Sequence, residues 1–445
     1  LAGLRGSGLP GHHQDDAPRV QDADSIRCAP QVAGAGRDTL AHARLVAETM
    51  AALLNAGITP AVREFGSLGC SGDLAPLSHC ALVLMGEGTA FGPDGVEKPA
   101  ADLLAAAGIA PVELLEKEGL ALINGTDGML GMLLMALADL RRLYTTADVT
   151  AAMSLEALLG TDKVLAPELH APIRPHPGQA AAAANMLAVL RGSGLTGHHQ
   201  DDAPRVQDAY SIRCAPQVAG AGRDTLAHAA LVAERELAAS VDNPVVLPDG
   251  RVESNGNFHG APVGYVLDFL AIAAADLASI SERRTDRLLD KARSHGLPAF
   301  LADDPGVDSG LMIAQYTQAA LVSENKRLAV PASVDSIPSS AMQEDHVSMG
   351  WSAARKLRQA VANLGRVLAV ELVASARALE IREQAAEQSG VLAPATAAAV
   401  AAARAAGVEG PGRDRFLSPD LEAAADLVAS GALLAAVEQV TGPLA

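Results

Sequence analysis

The stretch Gly66-Ser-Leu-Gly-Cys-Ser-Gly-Asp-Leu-Ala-Pro-Leu-Ser-His79 carries the most unusual chemistry in the chain. Locally it reads as a glycine-rich turn leading into a helix, and a capped loop would account for most of it. The tripeptide Cys70-Ser71-Gly72 at its centre offers more. Gly72 has no Cβ, so its backbone nitrogen can approach a neighbouring carbonyl closely. That approach permits the backbone to cyclise. Loss of water from Ser71 then leaves an exposed methylidene, a strong electrophile made without an external cofactor.

Two further motifs invite chemistry and lack the context for it. Gly192-Ser-Gly-Leu-Thr-Gly197 has the spacing of a dinucleotide loop, and Gly6–Gly11 repeats it. A dinucleotide site needs a strand before the glycines and a helix after them. Here an alanine-rich helix former precedes them and His-His-Gln-Asp-Asp follows. His198, His199, Asp201 and Asp202 suggest a metal by type, but adjacent residues point apart, whereas ligand pairs sit on one face at a spacing such as i, i+4. No metal is expected.

The elements that must position the Gly66–His79 loop are helical. Alanine, a strong helix former, saturates the chain. Between Trp351 and Glu383, Leu357, Val361, Leu364, Leu368 and Leu372 recur at helical spacing, with Arg358, Arg366 and Glu371 offset from the stripe. Val266–Lys291 and Ser309–Leu328 also read as helices. Pro-Asp-Gly turns at Pro93–Gly95 and Pro248–Gly250 predict small hairpins or loops. Ala261–Ile280 is the richest apolar stretch. It contains Asp268 and Asp276, and reads as a buried helix, not a membrane span.

With 49% hydrophobic residues over 445 positions, the chain can bury a large core. Against 34 basic residues stand 52 acidic ones, a net charge of −18. That balance disfavours nucleic acid as a partner, which would need a basic face. Cys28, Cys70, Cys80 and Cys214 form no paired framework, and Leu1–Asp16 lacks the pattern of a signal peptide. A cytoplasmic protein with reduced thiols is expected.

The Gly66–His79 stretch closely resembles the signature of the aromatic amino acid ammonia-lyases. Their prosthetic group, methylidene-imidazolone (MIO), forms from such a tripeptide, usually Ala-Ser-Gly. The resemblance runs from about Glu48 to the C-terminal end and rests on several separate motifs. It implies a mainly α fold, a long-helix bundle of the aromatic amino acid lyase or fumarase-like type with small loop or hairpin elements. It also implies MIO made from Cys70, Ser71 and Gly72, no external cofactor, and a homotetramer. Only the carbonyl of the first residue joins the ring, so Cys70 is compatible with it. By motif, Asn124 in Leu122-Ile-Asn-Gly-Thr126 matches the asparagine beside the electrophile. Tyr210 and Arg213, in the run Val206–Cys214, match the family's catalytic tyrosine and carboxylate-binding arginine. Gln207 matches a polar pocket residue and Phe258 the aromatic packed near the prosthetic group. Glu344, in Met342-Gln-Glu-Asp-His-Val-Ser-Met349, matches a glutamate near the substrate ring.

Glu344 bears on the substrate. A carboxylate can accept an imidazole N–H or pair with imidazolium. Against a phenyl ring it would be buried without a partner. L-Histidine is therefore the expected substrate, with urocanate and ammonia as products. Another MIO-dependent lyase or aminomutase reaction on a different aromatic amino acid stays open.

Residues Leu1–Glu48 repeat Leu187–Glu234 with four differences: Gly3 for Val189, Pro10 for Thr196, Asp24 for Tyr210 and Arg44 for Ala230. Residues 1–47 are expected to lie outside the normal fold as a copy of 187–233, and 48–445 to form the lyase region. The family's N-terminal Tyr-Gly-x-x-Thr-Gly-Phe-Gly loop, whose tyrosine is usually assigned as the base, is not found in this sequence. The duplicated segment stands in its place. Impaired catalysis, or a non-catalytic remnant of the scaffold, is therefore also an expectation.

Overall fold

The computed structural model describes residues 40–70, 72–115, 117–196, 206–247, 249–385 and 391–445. In chain order its elements are α1 (Leu40–Asn55), β1 (Thr59–Pro60), α2 (Leu74–Leu84), β2 (Thr89–Phe91), β3 (Glu97–Pro99), α3 (Ala100–Ala107), α4 (Glu118–Ile123), α5 (Asp127–Ala157), α6 (Pro177–Leu190), α7 (Tyr210–Arg213), α8 (Ala215–Leu237), β4 (Val245–Val246), β5 (Val252–Glu253), α9 (Ala261–Leu289), α10 (Met312–Leu328), α11 (Gly350–Gln384), α12 (Pro394–Ala405), α13 (Ser418–Ser430) and α14 (Ala432–Thr441). The expected mainly α architecture is what folds. The three long helices read from periodicity are α9, α10 and α11, displaced at their ends by a few residues, as fraying ends usually are. The duplicated segment up to residue 39, and the His198–Asp202 motif, lie outside the described residues.

The described chain forms two compact units. The first takes the residues up to Met135 with Leu231–Leu267 and Ala332–Arg355, and the second takes Ala136–Ala230, Asp268–Pro331 and Lys356–Ala445.

In the first unit, Val46, Met50 and Leu53 recur on one face of α1 and are buried with Ile58, Leu77, Leu84, Leu104 and Leu122. Burying each such side chain contributes about 1.5–3 kcal/mol. A three-stranded antiparallel sheet, β1-β2-β3, pairs Thr59 with Phe91 and Ala90 with Lys98. The Pro93–Gly95 turn joins β2 to β3, closed by the Gly95 N–H donating to the Gly92 carbonyl at 2.9 Å. Pro248 of the second expected turn lies outside the described residues; beside it the Gly250 N–H donates to the Leu247 carbonyl at 2.8 Å, and β4 and β5 pair antiparallel.

The second unit is built from long helices. The stripe Leu357, Val361, Leu364, Leu368 and Leu372 on α11 is buried throughout, as its spacing requires. Glu371, beside that stripe, is buried too. Its carboxylate pairs with the Arg284 guanidinium, the two being 0% and 1% exposed. It also accepts hydroxyl hydrogen bonds from Thr150 at 3.0 Å, Ser154 at 2.8 Å and Ser281 at 2.6 Å. Every lone pair of this buried carboxylate thus has a donor, which is what keeps such a pair from being costly. Helices α12, α13 and α14 pack on one another, and α12 and α14 on α6.

One expectation needs correcting. Ala261–Ile280 folds as helix, but it is not buried all round. Tyr265, Phe269 and Ile272 share one face of α9 and are 50%, 48% and 47% exposed. Apolar composition fixes that a helix prefers burial, and not which face finds a partner within its own chain. By length and composition, Glu118–Ala157 and Ala261–Leu289 are apolar enough to cross a membrane, and 78% and 56% of their most apolar stretches are buried inside the protein.

Candidate active site

In the first unit the loop before α2 is shaped by glycines. At Gly72 (φ +88) a side chain would collide with the Ile123 carbonyl and lie 2.6 Å from the Asn124 Cα. At Gly69 (φ +75) it would lie 2.6 Å from the Gly350 nitrogen. The Gly69 carbonyl accepts the Ser348 hydroxyl at 2.5 Å and the Gly260 N–H at 2.9 Å. On the other side of the tripeptide, the Asp73 N–H donates to the Gly125 carbonyl at 2.7 Å. Ser71 itself lies outside the described residues. Both of its flanks are pinned to backbone from distant parts of the same unit.

Asp73 ties the loop to α5. Its carboxylate accepts the Ser67 hydroxyl at 2.6 Å and the Met129 N–H at 2.9 Å, at the N-terminal end of that helix. Burial pushes its carboxyl up to about 6, against the lowering effect of these donors. These surroundings fit the prosthetic group that the tripeptide suggests. The third residue abuts backbone where no side chain can go, and the loop is held rigidly at either end.

Asn124 sits beside Gly72 and is itself fixed. Its amide nitrogen donates to Asp242 Oδ1 at 3.1 Å and to the Asn243 carbonyl at 2.9 Å. The buried Asp242 carboxylate also accepts Lys117 Nζ on both oxygens at 2.7 Å and the Asn243 N–H at 2.7 Å. Using both amide hydrogens this way orients the Asn124 carboxamide.

Glu344 reaches the same loop. Its Oε2 accepts the Ser339 hydroxyl at 2.9 Å and faces Cys70 Sγ at 3.8 Å. Burial, and then the facing Glu344 carboxylate, push the Cys70 thiol up to about 12, so it stays protonated and serves as a weak donor. Half-buried Phe258 precedes His259, whose ring is set by its partners. The Ala261 N–H donates to Nδ1 at 3.3 Å, so Nε2 carries the proton and donates to the His346 carbonyl at 3.1 Å. The two imidazoles stack with centroids 5.7 Å apart.

In the second unit, α7 brings Tyr210 and Arg213 together. The Arg213 guanidinium lies 4.8 Å from the Tyr210 ring centroid, and its Nε donates to the Asp208 carbonyl at 3.3 Å. Tyr210 is 72% exposed. Arg284 Nη1 reaches the Ser211 carbonyl at 3.3 Å, so the buried ion pair also anchors this short helix. Gln207 lines a cavity of about 90 Å³ with Asp208, Ile212, Arg287 and His295. Among the described residues no group of three or more His, Cys, Asp or Glu side chains is placed to hold a metal ion.

The model of the aromatic amino acid lyase family matches residues 1–49 and 44–405. The chain belongs to the aromatic amino acid lyase family. A histidine ammonia-lyase from Streptomyces griseus is 80% identical to this lyase over 400 residues, 90% of this chain and 77% of the relative. Among solved structures, a tyrosine aminomutase from Streptomyces globisporus superposes with a TM-score of 0.87 at 38% identity, covering 100% of this chain and 85% of that one. A histidine ammonia-lyase from Trypanosoma cruzi gives a TM-score of 0.80 at 36% identity, covering 98% and 84%.

Of the residues proposed from motifs in this lyase, the first unit gathers Cys70, Gly72, Asn124 and Glu344, with Phe258 two residues from the Gly260 that bonds to Gly69. The second gathers Gln207, Tyr210 and Arg213. Lys117, Asp242, Ser339 and the His259–His346 pair were not legible as site residues. The sequence signal for Asp242 was the Asp-Asn-Pro turn at 242–244. Ser339 and Lys117 carried none, since their partners are fixed only by folding.

Proposed function

We propose that this chain is a histidine ammonia-lyase that eliminates ammonia from L-histidine to leave urocanate. The observation that carries this reading is the Glu344 carboxylate held against Cys70, beside the tripeptide. A carboxylate there matches an imidazole N–H and mismatches a phenyl or phenol ring. The strong similarity to a relative of that name supports it.

Cys70, Ser71 and Gly72 would hold MIO, which supplies an electrophile that turns the substrate's amine into a better leaving group. The remaining work falls to side chains. Arg213 takes the substrate carboxylate through paired N–H donors and fixes its orientation. Tyr210 places a hydroxyl where charge develops, and Asn124, its two amide hydrogens engaged by Asp242 and Asn243, offers its carbonyl oxygen as an acceptor. Gln207 adds a polar contact, and Phe258 packs the pocket wall and excludes water. Glu344 accepts the imidazole N–H.

We infer further that the working form is a homotetramer. The exposed apolar face of Tyr265, Phe269 and Ile272 supports this, as do exposed Ile313 and Tyr316 on α10. A monomeric mass by light scattering would refute it. Residues 1–47 are read as a second copy of 187–233, but the boundary expected at 48 falls inside a helix: residues 40–47 form the first half of α1, with Val46 buried in the first unit's core, and 1–39 lie outside the described residues. The near-identity of the copies and the separate family match to residues 1–49 support that reading. Removing 1–39, the part of the copy that precedes α1, should leave melting temperature and turnover unchanged, whereas removing 1–47 should lower the melting temperature by taking Val46 and half of α1 from the core.

The test of function mixes the purified protein with L-histidine and follows urocanate by ultraviolet absorbance, with Ser71→Ala as control. Product that vanishes in the control is expected. No product from folded protein would leave the family's scaffold without its chemistry.

A further inference from the structure

We propose that Cys70 and Ser339 form a two-donor clamp on Oε2 of Glu344, which reserves Oε1 for the imidazole N–H of the substrate. The inference rests on the histidine reading above and adds two positioning residues to it.

Both contacts converge on one oxygen. Ser339 Oγ donates to Oε2 at 2.9 Å, and Cys70 Sγ lies 3.8 Å from the same atom. A glutamate has two equivalent oxygens and three rotatable bonds. Left alone, it would present either oxygen in many orientations and would lose that freedom on binding a ligand. Two donors on Oε2 remove the freedom in advance and turn Oε1 away from them.

The backbone is built to the same end. Between Ser339 and Glu344 the chain passes through Ser340, Ala341 and Met342 with φ of +51, +53 and +72. Three successive non-glycine residues in the left-handed region are strained, and such strain persists only where surrounding contacts overdetermine it. Here the Ser339 N–H donates to the Glu344 carbonyl at 3.0 Å, and the Glu344 N–H to the Ser339 carbonyl at 3.4 Å. The turn is thus closed by the two residues whose side chains also bond to each other. An ordinary turn of this length needs no such conformation. Its consequence is that the Ser339 hydroxyl meets the Glu344 carboxylate.

The test measures binding by calorimetry in the full chain carrying Ser71→Ala, where chemistry is blocked. The probes are L-histidine and L-phenylalanine. Adding Ser339→Ala should raise the L-histidine Kd roughly tenfold, as for loss of a hydrogen bond to a charged group, and leave L-phenylalanine unchanged. Ser339→Thr, which keeps the hydroxyl, should restore binding. On a Glu344→Ala background, Ser339→Ala should change nothing further, since the serine acts through the glutamate. Cys70→Ala leaves the turn intact and should weaken L-histidine alone by about twofold to fivefold, the thiol being a weak donor. It carries the same test if Ser339→Ala fails to fold. Equal weakening of both ligands, no weakening, or no rescue by threonine overturns the clamp alone. A Ser71→Ala protein that binds no L-histidine overturns the histidine reading and the clamp with it.

Discussion

The two units fix polar groups away from water by different means. In the first, backbone does most of it. Gly69 and Gly72 adopt positive φ and abut neighbouring backbone, and carbonyls and N–H groups from distant segments close around the tripeptide. Asp73 is held there by neutral donors, the Ser67 hydroxyl and the Met129 N–H. In the second, regular helices align side chains, and Glu371 is held by a guanidinium and three hydroxyls. The contrast teaches where each kind of order is useful. Paired side chains stabilise a bundle without distorting it. A reactive loop needs its backbone in a conformation that regular structure does not supply.

The sharpest way to break the comparison is to remove one partner of the second unit's ion pair. Glu371→Ala leaves the Arg284 charge buried without its counter-ion and should cost about 3–5 kcal/mol in urea unfolding. A cost below about 1 kcal/mol would show that the bundle does not depend on that pair. Next comes the first unit's backbone. Gly72→Ala adds a Cβ that overlaps Ile123 and Asn124 at positive φ, and should lower urocanate formation on the order of a hundredfold while the protein stays folded. Turnover near the parent's would mean the close approach is unnecessary.

The burial of the Asp73 carboxyl predicts a pH effect. Its folded pKa is raised to about 6, so its contribution to stability is complete below the unfolded value near 4 and is lost as pH rises through 6. The stability of the parent relative to Asp73→Asn should therefore fall between pH 4.5 and 7, by on the order of 2 kcal/mol. A pH-independent difference in urea midpoints would contradict this. The smallest effect tests the strained turn. Ala341→Gly relieves a left-handed alanine, a cost of about 1–2 kcal/mol, against about 0.4–1 kcal/mol for the freer unfolded chain, and should raise stability by roughly 0.5–1 kcal/mol net. An unchanged or lowered melting temperature would mean that the surroundings relieve the strain.

Much of the fold was legible because it depends on neighbours in sequence. The stripe from Leu357 to Leu372 announced α11, and the Pro93–Gly95 turn announced the β2–β3 hairpin. The tripeptide and the motif residues were legible as types in order. Their supports were not. Lys117 and Asp242 meet across 125 positions, and Glu344 meets Cys70 across 274. No local period connects such pairs.

The sequence by itself determined which segments become helices, where the reactive loop lies and which side chains are available to it. Hydrophobic spacing, glycine and turn chemistry act over a few residues and leave their mark there. Tertiary structure alone decided that Glu371 is a buried partner of Arg284, that one face of α9 stays exposed, and that Oε2 of Glu344 meets both Ser339 and Cys70. Each depends on which distant surfaces pack together, because a hydrogen bond needs its partners within about 3 Å, and only the folded chain brings them there.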